Sequence, residues 1–174
     1  MATLTLFCGL PGSGKTTVAK ALEREGIGVR LCTDEWQTQL GPAHADNDFH
    51  DRLQRRLYVL ALELLAKDVD VILEDGLWTR SERTEKRNDA QGVGARTHLH
   101  VFALGFEEVW NRLRQRNDEL LHDAVSIDRE ELRTFWDIFQ PPDEAELRAF
   151  DRVTIHRNTL VVGRVGIEPT ARGA

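Results

Sequence analysis

The chain has 174 residues, 41% of them apolar and 30% charged, with a formal net charge of −6. That length and balance fit one water-soluble domain with a sizeable core, and the absence of any run of 18 apolar residues excludes a membrane-spanning helix. The acidic balance argues against a bulk electrostatic grip on nucleic acid, although 19 of the 23 basic residues are arginine and a local basic groove stays open.

The start, Met1–Cys8, lacks a basic leader and reads as a first strand over 2–8. Lys15–Glu25 carries Val18, Ala19 and Leu22 at helical spacing and stops at Gly26. A second strand follows over 28–33, then a short helix over 34–40 ended by Gly41-Pro42, and a polar loop. The spacing predicts a long helix over 48–67, where Phe49, Leu53, Leu57, Leu60, Ala61, Leu64 and Leu65 form one apolar stripe. A third strand is expected at 69–73, a surface helix at 79–90, a fourth strand at 97–104 and an arginine-rich helix at 106–117. Ser126 is the expected N-cap of a helix over 127–139, broken by Pro141-Pro142. A short helix over 143–150 and a fifth strand over 152–156 complete a domain spanning 1–158, with a lid at about 117–127 and a frayed tail over 159–174.

Alternating strands and helices imply an α/β sandwich, a parallel sheet with helices on both faces. Right-handed crossovers then gather functional groups at the carboxyl ends of the strands. Cys8 and Cys32 are too few for a disulfide framework and suit a reducing, cytoplasmic location.

Gly9-Leu10-Pro11-Gly12-Ser13-Gly14-Lys15-Thr16 matches the phosphate-binding loop G-x-x-x-x-G-K-[ST] between a strand and a helix. Backbone N–H groups of such a loop turn inward around phosphate oxygens, and the following helix adds its positive end. Lys15 supplies a compact charge to the β and γ phosphates of ATP, and Thr16 a hydroxyl to Mg²⁺; Gly9, Pro11, Gly12, Ser13, Gly14 and Thr17 complete the cradle.

Asp34, after the second strand, is placed to orient and deprotonate an acceptor hydroxyl, or else to cap the short helix. The strand ending in Glu74-Asp75 reads as a Walker B-like segment, with Glu74 or Asp75 a partner of Mg²⁺. Arg112 and Arg116 share a helix face and suit a triphosphate, Arg116 bordering the lid as a catalytic arginine. Glu35, Trp36, Trp78 and Arg80 are candidate acceptor contacts, as is Trp136; Arg80 would suit an anionic acceptor. The histidines show no ligand spacing, so no metal beyond Mg²⁺ is expected.

With these residues in view, the chain over about residues 2–157 resembles small P-loop kinase-like ATPases of the group of polynucleotide kinase, zeta toxin, chloramphenicol phosphotransferase and gluconate kinase. The resemblance rests on 10–17, Thr33-Asp34-Glu35-Trp36, Gly76-Leu77-Trp78-Thr79-Arg80, 112–117 and Phe139-Gln140-Pro141-Pro142-Asp143. It implies a P-loop NTPase three-layer sandwich whose five parallel strands run in the order 2-3-1-4-5, with a small lid. It also implies Asp34 as the acceptor-activating carboxylate and Arg116 as the lid arginine. The expected activity is transfer of the γ-phosphate of Mg²⁺-ATP to a hydroxyl of a small-molecule acceptor. An ATPase without an acceptor and a polynucleotide 5′-hydroxyl kinase are the alternatives. The sequence leaves the oligomeric state open.

Overall fold

The structure is a computed structural model that describes residues 1–41, 46–119 and 126–157. The first strand, β1 (Thr3–Cys8), is buried along almost its whole length because it lies at the centre of the sheet with a helix layer on each face. Its alternating side chains separate the two layers. Leu4, Leu6 and Cys8 join the core formed with Leu57, Ala61 and Leu65 of α3 (Asn47–Leu65). Phe7 points the other way, against Val18, Ala19 and Leu22 of α1 (Lys15–Arg24).

Among the described residues five strands form one parallel sheet: β2 (Val29–Leu31), β3 (Val71–Gly76), β1, β4 (Arg96–Phe102) and β5 (Arg152–His156), in that order. The order is the one that the family resemblance implies, and the layout is that of a P-loop NTPase. The remaining helices are α2 (Thr33–Leu40), α4 (Arg80–Gly92), α5 (Phe106–Glu119), α6 (Arg129–Ile138) and α7 (Glu144–Leu147). A second core, built on Leu10, Leu104, Val109, Leu113 and Leu132, packs α5 and α6 beside the loop that follows β1, with Trp136 set edge-on to Phe106 at 5.5 Å.

Three local expectations are corrected. The cap of α6 is Asp128, not Ser126: its carboxylate accepts from the N–H groups of Glu130 and Glu131, and Glu131 returns the bond in a capping box. The long helix α3 begins at Asn47 because Asp46 caps it through Phe49 N–H at 2.9 Å. Strand β3 spans Val71–Gly76 in place of the expected 69–73, so Glu74 and Asp75 are buried residues of the strand itself. Asp70 lies just outside the strand, its carboxylate accepting from Thr3 N–H. Most of the expected lid, 120–125, and the tail at 159–174 lie outside the described residues. Asn117 and Ile127, at the two ends of the lid segment, are joined by a side-chain amide donating to a backbone carbonyl at 2.8 Å.

Candidate active site

The central strand β1 delivers the phosphate-binding loop to the carboxyl edge of the sheet, and α1 starts at Lys15 on the far side of it. Gly12 and Gly14 adopt positive φ, 77° and 100°. At Gly12 a side chain has no room either, since a Cβ would lie 2.6 Å from Cγ of Leu113. The loop is thus set against α5. Ser13 N–H donates to Leu10 carbonyl at 3.2 Å, and Arg112 of α5 donates to Ser13 carbonyl at 3.3 Å.

The Lys15 ammonium donates to the carbonyls of Gly9 (3.0 Å) and Leu10 (2.8 Å). Burial pushes it down to about 8, against the opposing pull of Glu74 and Asp34. Room for its stem comes from Gly76 at the end of β3. The position of a Cβ there lies 2.9 Å from Trp78 Nε1, 3.1 Å from Gly9 carbonyl and 3.4 Å from Lys15 Cε.

A cavity of about 490 Å³ opens over this loop. Pro11, Gly12, Gly14, Lys15, Thr16 and Thr17 form its floor, and Arg112 and Arg116 of α5 line it as well. Asp34, Glu74 and Trp78, three of the residues singled out in the sequence, line it too. Gly9 and the buried Ser13 belong to the loop but do not line the cavity.

The two candidate carboxylate groups differ in environment. Asp34 is not the helix cap: α2 is capped at Cys32, and Asp34 stands in the first turn with a side chain 79% exposed. Its nearest partner is His50 Nδ1 at 3.8 Å, and the same nitrogen lies 2.9 Å from Gln37 Oε1. Glu74 is bound through Oε2 to Arg30 Nε at 2.5 Å, and Arg30 reaches on to Glu35 at 2.8 Å. Asp75 faces the cavity, bonded by Thr33 hydroxyl at 3.1 Å and by Gln54; burial outweighs these bonds and raises its pKa.

Other candidates are placed elsewhere. Glu35 is held at about 2 by its bonds to Arg30 and Lys20, and it does not line the cavity. Trp36 is 39% exposed on α2, away from the lining, and Trp136 is part of the second core. Arg80 pairs with Asp143 (2.9 Å) and Glu146 (3.7 Å) and does not line the cavity. The sequence reading missed His50 and Gln54. They are one turn apart on α3, a spacing that puts them on one face, but nothing in the sequence tells that this face passes the tips of β2 and β3. Among the described residues no cluster of three or more His, Cys, Asp or Glu side chains could cage a metal ion, and no helix is long and apolar enough to cross a membrane.

A family model described as an AAA domain matches residues 4–142. A UPF0200 protein of Saccharolobus islandicus is 27% identical over 140 residues, 74% of either chain. Among solved structures, a candidate kinase of Chloroflexus aurantiacus superposes with a TM-score of 0.69 at 17% identity, covering 90% of this chain and 88% of that one. A sugar kinase of Janibacter sp. does so with a TM-score of 0.62 at 14% identity, covering 90% and 86%. At such identities the superpositions speak for the fold.

Proposed function

The chain belongs to this AAA-domain family, and on that premise we propose that it is an ATP-dependent phosphotransferase that moves the γ-phosphate to a hydroxyl of a small-molecule acceptor. One observation carries the reading. A single cavity unites a complete phosphate loop with Lys15, the arginines Arg112 and Arg116, and an exposed carboxylate, Asp34, on the opposite wall.

ATP binds with its β and γ phosphates against the loop N–H groups and the Lys15 ammonium. The residues present suit Mg²⁺: Thr16 offers a hydroxyl, and a carboxylate at the end of β3 reaches through water. A phosphate-bound Mg²⁺ keeps several waters and needs no protein cage. An ion held by these residues would supply neutralising charge to the phosphates. The acceptor oxygen attacks the γ-phosphorus in line. The bond from that phosphorus to the bridging oxygen breaks, ADP departs with the oxygen, and the hydroxyl proton passes to the Asp34 carboxylate. Arg116, whose pKa burial lowers, meets the negative charge spread over the transferring group.

The near neighbours named as kinases support this reading, and the acidic net charge speaks for a small acceptor over a polynucleotide. Two free buried thiols, Cys8 and Cys32, suit a reducing cytoplasm. The test is a radiolabel screen: γ-labelled ATP with Mg²⁺ and a library of alcohols, with label expected on one acceptor class and ADP release stimulated by it. Slow ATP hydrolysis that no alcohol stimulates would refute transfer.

A further inference from the structure

The cavity is electrically lopsided, and the topology makes it so. The loop stands after β1 at the middle of the sheet. The helix after β4, α5, brings Arg112 and Arg116 to one side, and Arg112 bonds the loop itself through Ser13 carbonyl. The segments after β2 and at the end of β3 bring Asp34, Glu74 and Asp75 to the other side, with α3 adding Gln54 and His50. Among the described residues no lysine or arginine lines that second wall, and Lys86, whose charge acts on Asp75, stands outside the lining. The nearby guanidinium of Arg30 is turned to Glu74 and Glu35, and Arg80 is held by Asp143 and Glu146 outside the cavity.

Resting on the phosphotransferase reading above, we propose that the acceptor bears no negative charge: it is a polyhydroxylated small molecule, neutral or carrying an amine, of the amino-alcohol and aminosugar class. The cationic wall and floor are matched to the triphosphate. A carboxylate or phosphate on the acceptor would have to settle beside Asp34 on a wall that offers it no cation, the Arg30 guanidinium being taken by Glu74 and Glu35. Hydroxyl and ammonium groups have partners there instead: the carboxylates accept, and the Gln54 amide, the Thr33 hydroxyl and the His50 ring accept or donate. The buried Asp75, fixed by Thr33 and Gln54, selects between acceptors, while Asp34 serves the reacting hydroxyl.

The experiment uses the full chain with Mg²⁺-ATP and panels in which one skeleton carries an amine, no charge, a carboxylate or a phosphate: glucosamine, glucose, glucuronate and glucose 6-phosphate, with parallel amino-alcohol and cyclitol series. Acceptor-stimulated ADP release and Mg²⁺-ATP binding by calorimetry are measured together. In every series that turns over, the amine or the neutral member is expected to exceed the acid and the phosphate in kcat/KM by about 10-fold or more. Gln54→Lys, which puts a cation on the α3 wall, is expected to narrow or reverse that order. Preference for an acid or a phosphate, or silence across all panels while Mg²⁺-ATP still binds, overturns the proposal and leaves nucleotide binding standing. Failure to bind Mg²⁺-ATP at all removes the underlying reading itself.

Discussion

Arg83 and Glu146, 63 positions apart, form a two-pronged buried ion pair, Nε to Oε1 at 2.6 Å and Nη2 to Oε2 at 3.0 Å. Arg83 is fully buried, and its remaining amino group bonds the carbonyls of Leu77 (3.3 Å) and Trp78 (3.1 Å). The pair therefore ties α4 to α7 and fixes the turn that carries Trp78 past the cavity. Its charges are out of water, so removing one partner strands the other. Glu146→Ala is expected to cost about 3–5 kcal/mol of unfolding free energy in urea titrations. A loss under about 1 kcal/mol would mean that water reaches the arginine.

Lys15 titrates where binding can be heard. With its ammonium pushed down to about 8 by burial, part of the protein has a neutral lysine at pH 8.5–9. A triphosphate beside it favours the charged form, so Mg²⁺-ATP binding is expected to take up protons in that window and none at pH 6.5. Calorimetry in buffers of differing ionisation enthalpy reads this uptake. Proton-neutral binding at both pH values would show that Lys15 does not meet the phosphates.

Asp34→Asn keeps the side chain's size and removes the proposed base. Its expected signature is a fall in acceptor-dependent kcat of about 100-fold or more, with the Kd for Mg²⁺-ATP changed by less than about 3-fold. Equal losses in both would reduce Asp34 to a structural residue.

Acid should loosen the β4–β5 edge. The His98 and His100 rings lie 4.2 Å apart, tilted by 46°, and His100 Nδ1 lies 2.9 Å from His156 Nε2. Burial holds His98 down to about 4 and His100 down to about 2, with the Arg152 charge adding to both. The folded pKa values lie below the ordinary 6.5, so the unfolded chain binds more protons as pH falls through that range. Stability is full above about 6.5 and is lost below it, by roughly 2 kcal/mol per histidine down to pH 4.5. Urea titrations at pH 7 and 4.5 measure the loss, and His98→Gln/His100→Gln should flatten it. A wild-type stability unchanged between the two would contradict neutral, buried rings.

Much of the fold was legible because its signals are local. The strand–loop–helix of 3–24 is written in an apolar run, a fixed glycine spacing and a lysine, all within one short segment. The acidic ends of β2 and β3 were equally visible as carboxylates next to apolar runs. What sequence could not show was which charges would be consumed by distant partners. Arg80 pairs with Asp143 and Glu146, more than sixty positions away, and no local signal announces it. Glu35 of α2 pairs with Arg30 of β2 and Lys20 of α1, near in the chain but on separate elements. His50 and Gln54 lie beside the apolar stripe of α3, and only the crossing of α3 over the sheet turns them into cavity wall. Ser126 lost the α6 cap to Asp128 because two residues with a single position between them both make good caps, and position alone decides.

The grip of the loop and Lys15 on a triphosphate is tested most directly by calorimetric titration of wild type and Lys15→Ala with Mg²⁺-ATP. Saturable one-site heat is expected for wild type, with affinity at least about 30-fold weaker in Lys15→Ala, the scale of a lost charge-assisted contact. No heat with wild type, or the same affinity in both proteins, would contradict it.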